Sequence, residues 1–149
     1  MANIGFKPAA NDVVQAFARD PEQLMVGANA TAAEMLPGIA VVFDANDGEV
    51  KECGAAGEAI GVLGYARANP NFKPATQLTA YAIGDSVPVY NGPGRVNAYL
   101  TETVVKGERL ILAANGKFSK QAAAIDGHVA TAAQSRTDAG RAWINLTGV

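Results

Sequence analysis

A single histidine, His128, limits the chemistry open to this chain of 149 residues. A Ser/His/acid arrangement would have to join it to Ser86, Ser119 or Ser135. None of these serines stands in the Gly-x-Ser-x-Gly turn that exposes a nucleophile. A zinc site draws on several His and Cys ligands, and the chain has one of each, His128 and Cys53. Asp44, Asn46 and Asp47 resemble the opening of a calcium loop. No Glu closes that loop at its twelfth position, so residues 44–48 read as a hairpin tip. Glu49 with Glu52 and Glu102 with Glu108 are the available carboxylate pairs, and both fall beside predicted turns, where charge is solvated. One Trp and 7% aromatic residues give little to line a sugar cleft between such pairs. Gly54–Gly57 and Gly92–Gly94 lack the Gly-Lys-Ser/Thr ending of a phosphate loop. The expectation is a chain with no catalytic residues, no metal and no cofactor.

The elements that carry these residues read as short strands. Val and Ile number 21 against 8 Leu, and β-branched side chains fit a pleated, half-buried surface better than a helix. Sixteen Gly and 7 Pro predict frequent turns. The net charge of −2 and the scattered Lys and Arg residues argue against direct nucleic-acid binding, which needs clustered positive charge. No run reaches the ~18 apolar residues of a membrane span. The first residues lack the charged and apolar regions of a signal peptide, which predicts synthesis in the cytoplasm. Cys53 has no partner for an intrachain disulfide and reads as a buried small hydrophobe.

Residues 1–22 stand apart. Asn11-Asp12 could cap a short helix carrying Val13, Val14, Ala16 and Phe17. The other reading is an arm ordered on a partner, anchored by Phe6 and Phe17. Residues 23–149 read as one β-barrel domain of about ten short antiparallel strands, or a barrel-like sandwich. Strands are predicted at 23–26, 39–44, 49–53, 59–66, 86–90, 95–100, 109–113, 117–121, 127–133 and 141–147. Pro88 argues for an edge strand, because it cannot donate to a ladder. Asn115-Gly116 predicts a two-residue hairpin. In the last strand either Ala142, Ile144 and Leu146 or Arg141, Trp143 and Asn145 face inward. Residues 67–77 read as an exposed loop. Trp143 and Arg95 are candidate interface residues, since large aromatics and arginines are favoured as interface anchors.

The chain also contains a weak repeat. PGIAVVFDANDGEVKEC (37–53) lies over KGERLILAANGKFSKQA (106–122) with one residue fewer in the second turn. Gly38 matches Gly107, Val41 matches Leu110, Gly48 matches Gly116 and Val50 matches Phe118. Further on, residues 60–64 fall opposite 128–132. Duplicated β-meanders explain a period of about 69 residues better than a solenoid does.

The cadence of Pro37-Gly38, Asp47-Gly48, Ile60-Gly61-Val62, Gly84-Asp85 and Gly107 with Asn115-Gly116 resembles small capsid decoration (cement) proteins of tailed phages and related archaeal viruses. The resemblance covers residues 36 to about 133, with His128-Val129-Ala130 in place of a second Ile-Gly-Val. It implies a compact β-barrel, often trimeric, on the outer face of a virion. There it would clamp neighbouring major capsid proteins, with residues 1–22 as a possible arm. The alternatives are a tail or fibre component, a small-ligand-binding barrel with Tyr65, Tyr81, Tyr90, Tyr99 and Trp143 around one cavity, or an enzyme using His128.

Overall fold

The computed structural model describes residues 14–15, 20–54, 58–64, 79–120, 130–137 and 140–147. Phe6, Phe17, Tyr65, the loop at 67–77 and His128 lie outside the described residues. The strands are β1 (Val14–Gln15), β2 (Glu22–Val26), β3 (Ala40–Phe43), β4 (Glu49–Glu52), β5 (Gly61–Leu63), β6 (Ser86–Tyr90), β7 (Gly94–Leu100), β8 (Arg109–Leu112), β9 (Phe118–Lys120), β10 (Ala130–Ala132) and β11 (Gly140–Leu146). Single 3-10 turns at Ala32–Glu34 and Ala114–Gly116 are the helical elements among the described residues, and no helix there is long and apolar enough to cross a membrane.

The fold is all-β with short strands, as the composition predicts. The strands expected to share one barrel close around two cores instead. The first barrel runs β2-β4-β3-β5-β6 and closes on itself. The second runs β7-β11-β10-β8-β9 and closes through a β7–β9 contact. Each barrel has one parallel pairing, Val26 beside Val50 in the first and Leu100 beside Phe118 in the second, and every other pair is antiparallel.

The two barrels are copies of one topology, which gives the weak repeat a physical basis. Val41 pairs with Glu52 and Phe43 with Val50; Leu110 pairs with Lys120 and Leu112 with Phe118. These are the correspondences read from the sequence. The third strand is set one residue away from that reading. Val41 pairs with Gly61 and Leu110 with Ala130, so Gly61 corresponds to Ala130 and Ile60 does not correspond to His128. A one-residue shift moves every side chain to the other face, so pairing decides what spacing left ambiguous. Gly38 and Gly107 both have φ of 97°. Their amides donate to Leu63 and Ala132 at 2.8 Å each.

Alternation fills each barrel. Val96, Ala98 and Leu100 on β7 and Ala142, Ile144 and Leu146 on β11 point into the second core. That settles which face of β11 is inward. Leu24, Val26, Val41, Val50, Leu63, Val87 and Val89 fill the first, with Met35, Ile39 and Tyr81. Each Val, Leu, Ile or Met among them contributes roughly 1.5–3 kcal/mol when removed from water.

Three local expectations are corrected. Pro88 is not on an edge strand, because β6 lies between β5 and β2 in a closed barrel. Its missing amide faces Gly64, just past the end of β5, whose own amide donates to the Pro88 carbonyl at 2.9 Å. The Asn115-Gly116 hairpin has a three-residue loop, closed by the Ala113 amide on the Lys117 carbonyl at 2.7 Å. Asn115 and Gly116 still take the positive φ that sequence requires, 58° and 71°. Val14 and Gln15 do not lie in a short helix; they form a strand against Val96 and Arg95 of β7.

Candidate interaction surface

The β7–β11 register places the two described candidates, Arg95 and Trp143, on one outer face. Arg95 pairs with Asn145, Asn97 with Trp143 and Tyr99 with Arg141. The strand period of two turns all six away from the core. Arg95 Nε donates to Asn145 Oδ1 at 2.9 Å. Trp143 is half-buried on this outer face and so is not a barrel-core residue. Phe6 and Phe17 lie outside the described residues.

The residue sequence reasoning undervalued is Arg141. Its Nη1 donates to the Asn97 carbonyl at 2.7 Å and its Nη2 to the Pro37 carbonyl at 2.5 Å. The first acceptor belongs to the second barrel and the other to the first. The guanidinium also lies 4.2 Å from the Tyr99 ring centroid, a favourable cation–π distance. Burial pushes the Arg141 pKa down, while Tyr99 opposes that shift. The charge is held because planar donors meet fixed carbonyls and a π face. No sequence signal separated Arg141 from Arg95, since both stand at alternate positions on strands.

Small residues let the barrels approach. A Cβ on Gly38 would overlap the Asn97 carbonyl and the Arg141 guanidinium, and one on Gly116 would overlap the Ala40 carbonyl. The Gly116 amide donates to the Cys53 carbonyl at 2.7 Å. Ala40, Cys53 and Val62, on the outside of the first barrel, are buried against the core of the second. Cys53 is a buried small hydrophobe, as expected, and burial raises its thiol pKa.

The polar residues weighed for catalysis make hydrogen bonds that tie strands, turns and loops together. Ser86 Oγ donates to Gln23 Oε1 at 3.1 Å, and Ser135 Oγ accepts from the Lys106 amide at 2.8 Å. Glu108 accepts from the Val105 amide at 2.7 Å, and Glu52 from the Thr31 amide at 3.0 Å. Asp44 accepts from the Asn29 side chain and amide at 2.9 Å each. The Asn29 side-chain bond holds the Asp44 carboxyl below the ordinary carboxylate range, against a smaller opposing effect of desolvation. Among the described residues no group of three or more His, Cys, Asp or Glu could hold a metal ion. The aromatics separate. Tyr81 is inside the first barrel, Tyr99 packs against that core from the second barrel, Tyr90 packs against the second core, and Trp143 is on the outer face.

Residues 1–147 match the family described as XM1 gp53 minor capsid protein. The chain belongs to that family. Among curated proteins nothing matches. Membership gives the chain a phage capsid relationship and a structural role in the virion, in association with capsid components.

Proposed function

We propose that the protein is a capsid decoration protein that binds the outer surface of the capsid and stabilises contacts between major capsid proteins. The family match supports its coarser part, a structural role with the capsid. Three features support the finer role. Two filled barrels joined by Arg141 make a stiff unit able to bridge neighbouring subunits. The outer face carrying Arg95 and Trp143 offers the aromatic and arginine anchors favoured at interfaces. Weak contacts repeated over a shell gain strength by multivalency. In this reading the residues before β2 form an arm, joined to β7 by Val14 and Gln15, with Phe6 and Phe17 as anchors, and the protein acts as a homotrimer.

The test is co-sedimentation of the full-length protein with capsids that lack it. Saturable binding at a fixed copy number per capsid is expected, weakened at least tenfold by Trp143→Ala with Arg95→Ala. Phe6→Ala with Phe17→Ala should weaken it independently. A folded protein that fails to bind capsids sinks the decoration role and favours a tail or fibre component.

A further inference from the structure

The two barrels of one chain meet through unlike faces. The first offers the turn Leu36-Pro37-Gly38. The second offers a seam on its outer surface, where Asn97 and Arg141 receive that turn, Gly116 meets Ile39 and Ala40 just past it, and Tyr99 lies under the Arg141 guanidinium. Leu36 and Tyr99 both pack against the first core at this junction. Since the barrels share one topology, each carries both faces, and only one of each is used inside the chain.

The pairing registers identify the unused pair. Gly38 donates to Leu63 as Gly107 donates to Ala132, so the second barrel's turn is Val105-Lys106-Gly107. Leu24 pairs with Val87 as Ala98 pairs with Ala142. Asn97, Tyr99 and Arg141 therefore correspond to Gln23, Met25 and Ser86, and Gly116 to Gly48. Both unused faces are open. Val105 is 61% exposed and Met25 41%. They are the counterparts of Leu36 and Tyr99, the apolar side chains of the internal junction. A Cβ on Gly48 or Gly107 would meet nothing within 4 Å, whereas one on Gly38 or Gly116 would overlap backbone of the other barrel.

A face met inside the chain and repeated, unmet, on the other barrel is half of a heterologous contact. We propose that copies of this chain associate head to tail, the Val105–Gly107 turn of one copy seating on the Gln23–Met25 seam of the next. Charge favours that occupant. Lys106 and Arg109 border the turn, with Glu108, which accepts from the Val105 amide, as the one acid between them. Glu49, opposite Met25 in the β2–β4 register, and Glu22 border the seam. The cation that locks the internal junction, Arg141, has Ser86 as its counterpart in this seam, and the basic residues stand on the turn side instead. Ala40 and Val62 correspond to Arg109 and Thr131, so the contact between copies is more polar than the one within the chain. Such polarity suits a surface that must stay soluble before it assembles. Three copies joined this way would set six barrels in one ring. The inference deepens the self-association in the proposed function by naming the surfaces that meet, and it does not depend on capsid binding.

The test is inter-chain disulfide trapping in the full-length protein carrying Met25→Cys and Val105→Cys, with buried Cys53 as the silent thiol. Mild oxidation should give a covalent ring or ladder, and neither single variant should exceed background. Failure of the folded double variant to cross-link overturns the proposal. So does equal cross-linking by either single variant, which marks a two-fold contact. A mixing experiment reads the same surface without oxidation. Met25→Glu blocks the seam and Val105→Glu blocks the turn. By sedimentation, each alone should have monomer mass and their mixture should have dimer mass, because one competent junction remains. Two variants that keep the wild-type oligomer, or a monomeric wild type, overturn it. A monomer that still binds capsids leaves the decoration role standing, and a trapped oligomer that ignores capsids leaves this contact standing.

Discussion

The Tyr81 hydroxyl donates to the Gly64 carbonyl at 2.9 Å, where the Pro88 amide would donate if proline had one. Gly64 and Pro88 stand opposite each other at the end of the β5–β6 ladder, and the Gly64 amide completes its half of the pair on the Pro88 carbonyl. Tyr81 is 1% exposed, so the replaced donor is inside the barrel. Tyr81→Phe should cost about 1–3 kcal/mol by leaving a buried carbonyl unpaired. That should lower Tm by about 2–4 °C per kcal/mol. Pro88→Ala restores an amide at that point. The penalty of Tyr81→Phe should therefore shrink in a Pro88→Ala background, read as a coupling energy by a double-mutant cycle in urea. Additive effects would show that the hydroxyl does not stand in for the amide.

Arg141 is expected to hold the two barrels in one cooperative unit. Arg141→Ala removes two charge-assisted bonds to carbonyls of different barrels and a cation–π contact, and should cost about 3 kcal/mol. Arg141→Lys should recover little of that, because an ammonium cannot present the planar fork. Urea unfolding checks both. A lysine variant as stable as the wild type would mean that charge alone, not geometry, acts at this site.

Gly38 and Gly107 form an internal control. Both adopt φ of 97°, which an L side chain rarely tolerates. Gly107→Ala should cost the backbone strain alone, about 1–3 kcal/mol, because a Cβ there meets open space. Gly38→Ala adds an overlap with the Asn97 carbonyl and Arg141 and should cost a further ~1–3 kcal/mol. Thermal unfolding of dilute protein separates the two. Equal losses would mean that the barrels do not press together at Gly38.

The Asp44 carboxyl sits below its ordinary pKa because Asn29 donates to its charged form. A depressed pKa in the folded state stabilises the fold above the unfolded value, about 3.9. That contribution is lost as the pH falls through the lower folded value. Asp44→Asn should therefore flatten the acid limb of the stability curve below about pH 4 and leave its shape at neutral pH unchanged. Urea midpoints measured from pH 2 to pH 7 check it, and an unaltered acid limb would reject the role assigned to Asn29.

The sequence by itself determined the elements. Alternation in Val96–Leu100, the β-branched excess and the positive-φ residues Gly48, Asn115 and Gly116 are local properties, and local physics sets strand and turn. Even the duplication was legible, because Gly38 and Gly107 must solve the same backbone problem. Only the tertiary structure decided how the strands close. Strand order depends on pairings between distant residues, and nothing in a strand's own pattern says whether ten strands share one barrel or divide between two. The same limit hid Arg141. Its alternation on β11 left open which face was outward, and only the approach of the Pro37-Gly38 turn makes that outside an interface. Pro88 was misread for a related reason: the rule against proline in a central strand assumes that no other donor is near, and Tyr81 supplies one from outside the ladder.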